Sequence, residues 1–162
     1  MIRDVTRDDA VAIAAIYNHY ITNSIATFEE EPLAPGQVQS RIEATLAEQL
    51  PYLVATDGED IVGYAYASEW NGRCAYKYSV EVTVYLAHDR TGGGTGTTLY
   101  KALFSQLEQR GYHVAIAGIS LPNEASVALH EKFGMKKVAH FEEVGHKFGD
   151  WVDVGYWQTT FN

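Results

Sequence analysis

"HDRTGGGTGTTLY", residues 88–100, places four glycines in five positions, hems them with threonines and runs on into helical spacing. Glycine costs roughly 0.5–1 kcal/mol against alanine inside regular structure, so such a cluster marks backbone that bends sharply or lies close to something. Just upstream, "YKYSVEVTVYL" (76–86) alternates Val80, Val82, Val84 and Leu86 with Glu81, Thr83 and Tyr85. That is a strand with one core face and one face carrying a carboxylate and a phenol. Downstream, Leu99, Leu103 and Leu107 recur every four residues until Gly111 offers a C-cap, which predicts a helix over 97–110. Two readings follow from strand, glycine turn and helix. One is a mobile surface turn; the other is an anion cradle, in which the free amides of the helix start hold a pyrophosphate with threonine hydroxyls as extra donors.

The usual phosphate motifs are absent. A dinucleotide fingerprint read from Gly92 or Gly94 puts Thr97 or Leu99 where the third glycine belongs, and Gly96 is followed by threonines rather than the Lys of a nucleotide-triphosphate loop.

Working outward, Ile13, Ile16, Tyr17 and Tyr20 mark an amphipathic helix behind Asp8 or Asp9 as N-cap, and a second helix is expected from Gln37 to Gln49. "TNSIATFEEEPLAPG" between them reads as a loop with Phe28 as its odd apolar member. Two apolar runs, 52–56 and 61–68, flank an acidic turn at Gly58 and form a hairpin. "YHVAIAGIS" is a buried strand. "PNEASVALHEKFG" is a helix opened by Pro122 and Asn123 and closed by Gly134, and "WVDVGYWQTTF" is a terminal strand. The order is helix, helix, three strands, helix, strand, helix, strands, an α/β or α+β fold around a mixed sheet.

Length and composition set the outer limits. The 162 residues are read as one domain spanning 1–162, and 46% hydrophobic against 20% charged residues place it among globular chains. A net charge of −9 argues against nucleic acid as partner. Cys74 is alone, so no internal disulfide forms, and the charged start "MIRDVTRDDA" together with the lack of a long apolar run argues against secretion and membrane insertion. The expected location is the cytoplasm.

The glycine stretch resembles the acetyl-CoA motif of the GNAT N-acetyltransferases, Arg/Gln-x-x-Gly-x-Gly/Ala. Gly94 and Gly96 take its two glycine positions, Thr91 stands where the motif has Arg or Gln, and Arg90 is displaced by one. "YNHYITNSIATFEEEP", "AYKYSVEVTVY", "GISLPNEASVALHEKFG" and "HKFGDWVDVGYWQ" all resemble the branch that acetylates phosphinothricin and methionine sulfoximine, and together they cover nearly the whole chain.

The resemblance implies a GNAT-like fold with a central twisted mixed sheet flanked by helices, acetyl-CoA as co-substrate, no metal, and a homodimer. It places the pyrophosphate on the amides of Gly92, Gly93, Gly94, Thr95, Gly96 and Thr97 beside Arg90, and the pantetheine arm along Val82, Thr83, Val84 and Tyr85. Asn123 and Ser126 are further cofactor contacts, with Asn123 also a local helix cap. Methionine sulfone and arsinothricin are further candidate acceptors; another small amine, a protein N-terminus, or a non-catalytic acyl-CoA sensor are the rivals.

An amine acceptor is mostly protonated at neutral pH and attacks a thioester only as the free base, so the site needs a proton acceptor. The resemblance gives that role to Glu81, which the sequence alone would leave as a solvated strand carboxylate. His130 stands where many relatives carry a Tyr that reprotonates the leaving thiolate, with Tyr85 or water as other donors. Arg73 and Tyr76 correspond to residues holding the acceptor's anionic groups, although Asn71 occupies the position of an accompanying Lys. Phe28 and Tyr85 correspond to pocket walls, and an isolated aromatic is equally a packing residue. The spacing of His146, Lys147, Asp150 and Asp153 matches no metal-ligand set, and Cys74 has no flanking signature of a nucleophile.

Overall fold

The computed structural model describes residues Met1–Asn162. Seven strands form one sheet in the order β1-β2-β3-β4-β5-β7-β6. They are β1 (Ile2–Asp4), β2 (Tyr52–Asp57), β3 (Asp60–Glu69), β4 (Ser79–Leu86), β5 (Val114–Leu121), β6 (Lys136–Lys147) and β7 (Asp150–Thr160). Every neighbouring pair is antiparallel except β4 and β5. Helices α1 (Ala10–Asn23), α2 (Pro35–Ala47), α3 (Thr95–Gln109) and α4 (Glu124–Lys132) flank the sheet.

Strand alternation divides the core into two layers. Leu53, Ala55, Ala65, Ala67, Val80 and Val82 meet Leu99, Tyr100, Leu103 and Leu107 of α3. Tyr52, Val54 and Tyr64 meet Ile13, Ile16 and Ile21 of α1 and Val38 and Ile42 of α2. The second layer is built of tyrosines: Tyr52 stacks on Tyr66 at 4.8 Å, and Tyr64 and Tyr85 lie 5.7 Å apart across β3 and β4. The polar face of β4 therefore leads into a tyrosine layer under α1.

Several boundaries differ from the sequence reading. β1 is absent from it, because three residues are too short to show a period; Ile2 pairs with Ala55 in the structure. Residues 74–76 form a 3-10 turn, so β4 begins at Ser79 rather than Tyr76. Helix α2 starts at Pro35, whose fixed φ suits a first helical turn. Asp9 does not cap α1 with its side chain; it accepts the Thr6 amide at 2.7 Å and a two-point contact from Arg3 at 2.8 Å.

The β4–β5 ladder is the feature that makes room for chemistry. It joins only Ser79–Glu81 to Val114–Ile116, although both strands continue, β4 to Leu86 and β5 to Leu121. On its other side β4 stays paired with β3 from Val80 to Leu86. Beyond Glu81 the two parallel strands separate and the sheet opens.

Candidate active site

A cleft of about 1150 Å³ occupies that opening. One wall is β4 from Glu81 to Leu86; the other is Gly118, Ile119 and Ser120 of β5. The glycine turn and the first turn of α3 close one end, α4 forms a flank, and Phe28, Phe141, Val144 and Tyr156 surround the rest.

At the glycine end the backbone is prepared for an anion. Gly92 and Gly94 have φ of +80° and +84°, which side chains disfavour, and Gly94 is the N-cap of α3. The first amide of this region with an acceptor is that of Thr98, on the Gly94 carbonyl at 3.0 Å, so those of Gly92 to Thr97 are unpaired within the chain. Gly96 lets α3 close on α4, since a Cβ there would lie 3.2 Å from Leu129 Cδ2. Asn123 caps α4 by accepting the Ser126 amide at 3.1 Å.

Of the expected donor contacts, Val82, Thr83, Val84, Gly92, Gly94, Gly96, Thr97, Asn123 and Ser126 line the cleft. Arg90, Gly93 and Thr95 instead line a smaller hollow on the far side of the turn. Arg90 pairs there with Asp57 at 2.7 Å.

Glu81 sits where the β4–β5 ladder ends, between Ser68 of β3 and Ile116 of β5. It is half-buried, its side chain has no hydrogen-bond partner in the chain, and desolvation holds its pKa above the ordinary carboxylate range. Tyr85 lines the same wall, its hydroxyl donating to the Ala26 carbonyl at 3.0 Å.

His130 also lines the cleft but is engaged on both nitrogens: Nδ1 lies 2.6 Å from the Ser126 carbonyl and Nε2 2.8 Å from the Tyr100 hydroxyl. A carbonyl only accepts, so Nδ1 carries the proton and Tyr100 donates to Nε2. Burial keeps the ring's pKa below the usual histidine value, favouring this neutral form.

Phe28 lines the cleft, its ring occupying the space a side chain at Gly145 would need. Arg73 and Tyr76 do not line it; they lie on the exposed β3–β4 connection. No group of three or more acidic, His or Cys side chains gathers as a metal site.

Sequence reasoning missed four residues. Tyr100 is hidden inside the leucine repeat of α3, and Tyr156 and Lys132 carry no local signature. Lys147 is 2% exposed and donates to the carbonyls of Ser24 and Thr27 at 2.8 and 2.7 Å, a pairing across the chain that no local pattern reports.

A mixed sheet parted at one parallel pair holds a cleft with unpaired amides at one end of the gap and an unpartnered carboxylate on its wall, an arrangement that suits an anionic ligand beside a proton acceptor. Residues 2–155 match the acetyltransferase (GNAT) domain profile, and the chain belongs to that family. It is 40% identical over 160 residues to phosphinothricin N-acetyltransferase of Streptomyces viridochromogenes, covering 99% of this chain and 87% of that protein. It is 34% identical to the L-methionine sulfoximine/L-methionine sulfone acetyltransferase of Pseudomonas paraeruginosa, covering 97% of this chain and 92% of that one. Among solved structures, a GNAT superfamily phosphinothricin acetyltransferase from Sinorhizobium meliloti in complex with acetyl-CoA superposes with a TM-score of 0.97 at 31% identity, covering 100% of this chain and 88% of that one. The protein is an acetyl-CoA-dependent N-acetyltransferase.

Proposed function

We propose that this single 1–162 domain acetylates the α-amine of phosphinothricin or a close glutamate or methionine analogue, namely methionine sulfoximine, methionine sulfone or arsinothricin, and so detoxifies it. The observation that carries the reading is the position of Glu81, a half-buried carboxylate without a partner where the sheet parts. The names of the relatives support the acceptor class.

The free amides of Gly92–Thr97 suit the diphosphate of acetyl-CoA, and the unpaired edge of Val82–Tyr85 suits its pantetheine arm. The co-substrate supplies the activated acetyl group. Glu81, directly or through water, takes the proton of the ammonium form of the acceptor, whose nitrogen then bonds the thioester carbon as the carbon–sulfur bond breaks. Glu81 passes that proton to solvent and, ionised again, takes the second amine proton as the new carbon–nitrogen bond is completed. His130 has its one N–H committed to a carbonyl and Tyr85 has its hydroxyl committed to Ala26, so water protonates the departing thiolate. Holding two reactants in register is the main source of rate.

Phe28 and Tyr85 wall the acceptor's side chain in this scheme, while Arg73 and Tyr76, outside the cleft on the exposed β3–β4 connection, reach its anionic groups only if that connection folds toward the cleft. The protein works in the cytoplasm as a homodimer; exposed Val144, Phe148 and Trp151 on the β6–β7 hairpin are the apolar surface that supports the dimer.

A second reading, an acceptor with fewer negative charges, is favoured by one observation: no Arg or Lys lines the cleft near Glu81. The test is release of CoA from acetyl-CoA with the four analogues, ordinary amino acids and spermidine in parallel. Turnover at low acceptor concentration with an analogue is the expected result. Turnover with spermidine or a neutral amino acid alone overturns the acceptor class and leaves the acetyltransferase.

A further inference from the structure

We propose that Lys132 is the cation of the diphosphate site and replaces the residue missing at Thr91. The inference rests on the acetyl-CoA reading of the cleft and deepens it.

A diphosphate brings two negative charges into a chain whose own net charge is −9. Backbone amides and a helix dipole contribute only partial charges there. The glycine motif has Thr91, which carries no charge, at its Arg/Gln position, and neighbouring Arg90 lies on the far side of the loop, paired with Asp57. Among the residues lining the cleft, Lys132 is the single Lys or Arg.

Packing explains how a residue so distant in sequence reaches the cradle. Gly96 admits Leu129 against the first turn of α3, and Lys132, three residues on, lies on the same face of α4 as Leu129. Its Nζ stands 3.4 Å from Thr97 Oγ1, at the edge of the unpaired amides. It forms no ion pair within the chain, so the ammonium is available to a ligand. A lysine in the last turn of a helix also complements that helix's own dipole. That role predicts a change in stability without a change in ligand affinity.

The experiment is calorimetric titration of acetyl-CoA, 3′-dephospho-CoA and S-acetylpantetheine into the wild type, Lys132→Met, Lys132→Arg and the double variant Lys132→Met/Thr91→Arg, with melting curves for each. Lys132→Met should weaken acetyl-CoA and dephospho-CoA alike by about ten- to hundredfold, the range of a charged hydrogen bond. S-acetylpantetheine, which has no diphosphate, should bind the wild type and Lys132→Met equally. Lys132→Arg should stay near the wild type, and Thr91→Arg should restore much of the lost affinity. Unchanged affinity in Lys132→Met, a loss confined to ligands bearing the 3′-phosphate, or an equal loss with S-acetylpantetheine overturns the proposal. A wild type that binds no acetyl-CoA overturns the underlying cleft reading as well, whereas failure of Lys132 alone leaves it standing.

Discussion

Glu81 shows how one side chain can oppose stability and serve function. Burial raises its pKa, so folding makes the ionised carboxylate costlier than it is in the unfolded chain. Its contribution to stability is then complete below the unfolded pKa and is lost as pH rises through the folded one. Glu81→Gln removes that cost, so the variant should melt no lower than the wild type at neutral pH, with the difference in its favour shrinking in acid. Its turnover should fall about 10²- to 10⁴-fold with acetyl-CoA binding retained, read from CoA release and calorimetry. The wild-type kcat/KM should decline on the acid side through a pKa above the ordinary carboxylate range, and a variant with undiminished turnover would remove Glu81 from the proposed mechanism. Alternation along β4 already put this carboxylate opposite the valine face; what alternation could not report was that it sits between Ser68 and Ile116 at the end of the parallel ladder and that it has no partner. His130 taught the opposite lesson: a position in a motif says nothing of hydrogen-bond partners, and Tyr100 and Ser126 occupy both of its nitrogens.

Among elements, helices with strong periodicity were legible and the segments between them were not. The leucine repeat located α3, and the glycines its start, because both signals are local. The loop after α1 looked like punctuation, yet it is fixed by Lys147 on the Ser24 and Thr27 carbonyls, by Tyr85 on Ala26 and by the Tyr17 and Arg41 contacts of Glu29. These contacts bring Phe28 to the cleft, and most of their partners are far away in sequence. Burial lowers the pKa of Lys147, a sign that its ammonium is held at a desolvation cost. Lys147→Met would leave two carbonyls without their donor and is expected to destabilise by about 1–3 kcal/mol in denaturant titrations. It should also raise KM for the amine more than KM for acetyl-CoA, since the loop borders the acceptor end; equal effects on both would confine the lysine to a structural role.

At the scale of the molecule, the alternation of helices and strands disclosed a mixed sheet, while strand order, the single parallel pair and the parting of β4 from β5 depend on long-range pairing that no window of sequence contains. The exposed hairpin belongs to this scale too. Trp151 is 66% exposed, and Trp151→Glu is expected to turn a dimer into a monomer by light scattering; a wild type of monomer mass at micromolar concentration would remove the dimer from the proposal. The unzipped stretch of β4 has a last consequence. On the proposed placement the acyl donor's own amides lie along it as a surrogate strand, so the architecture is completed by a reactant. On that placement the amine meets a finished floor only after the donor has docked, and dead-end inhibition kinetics are expected to report donor-first addition.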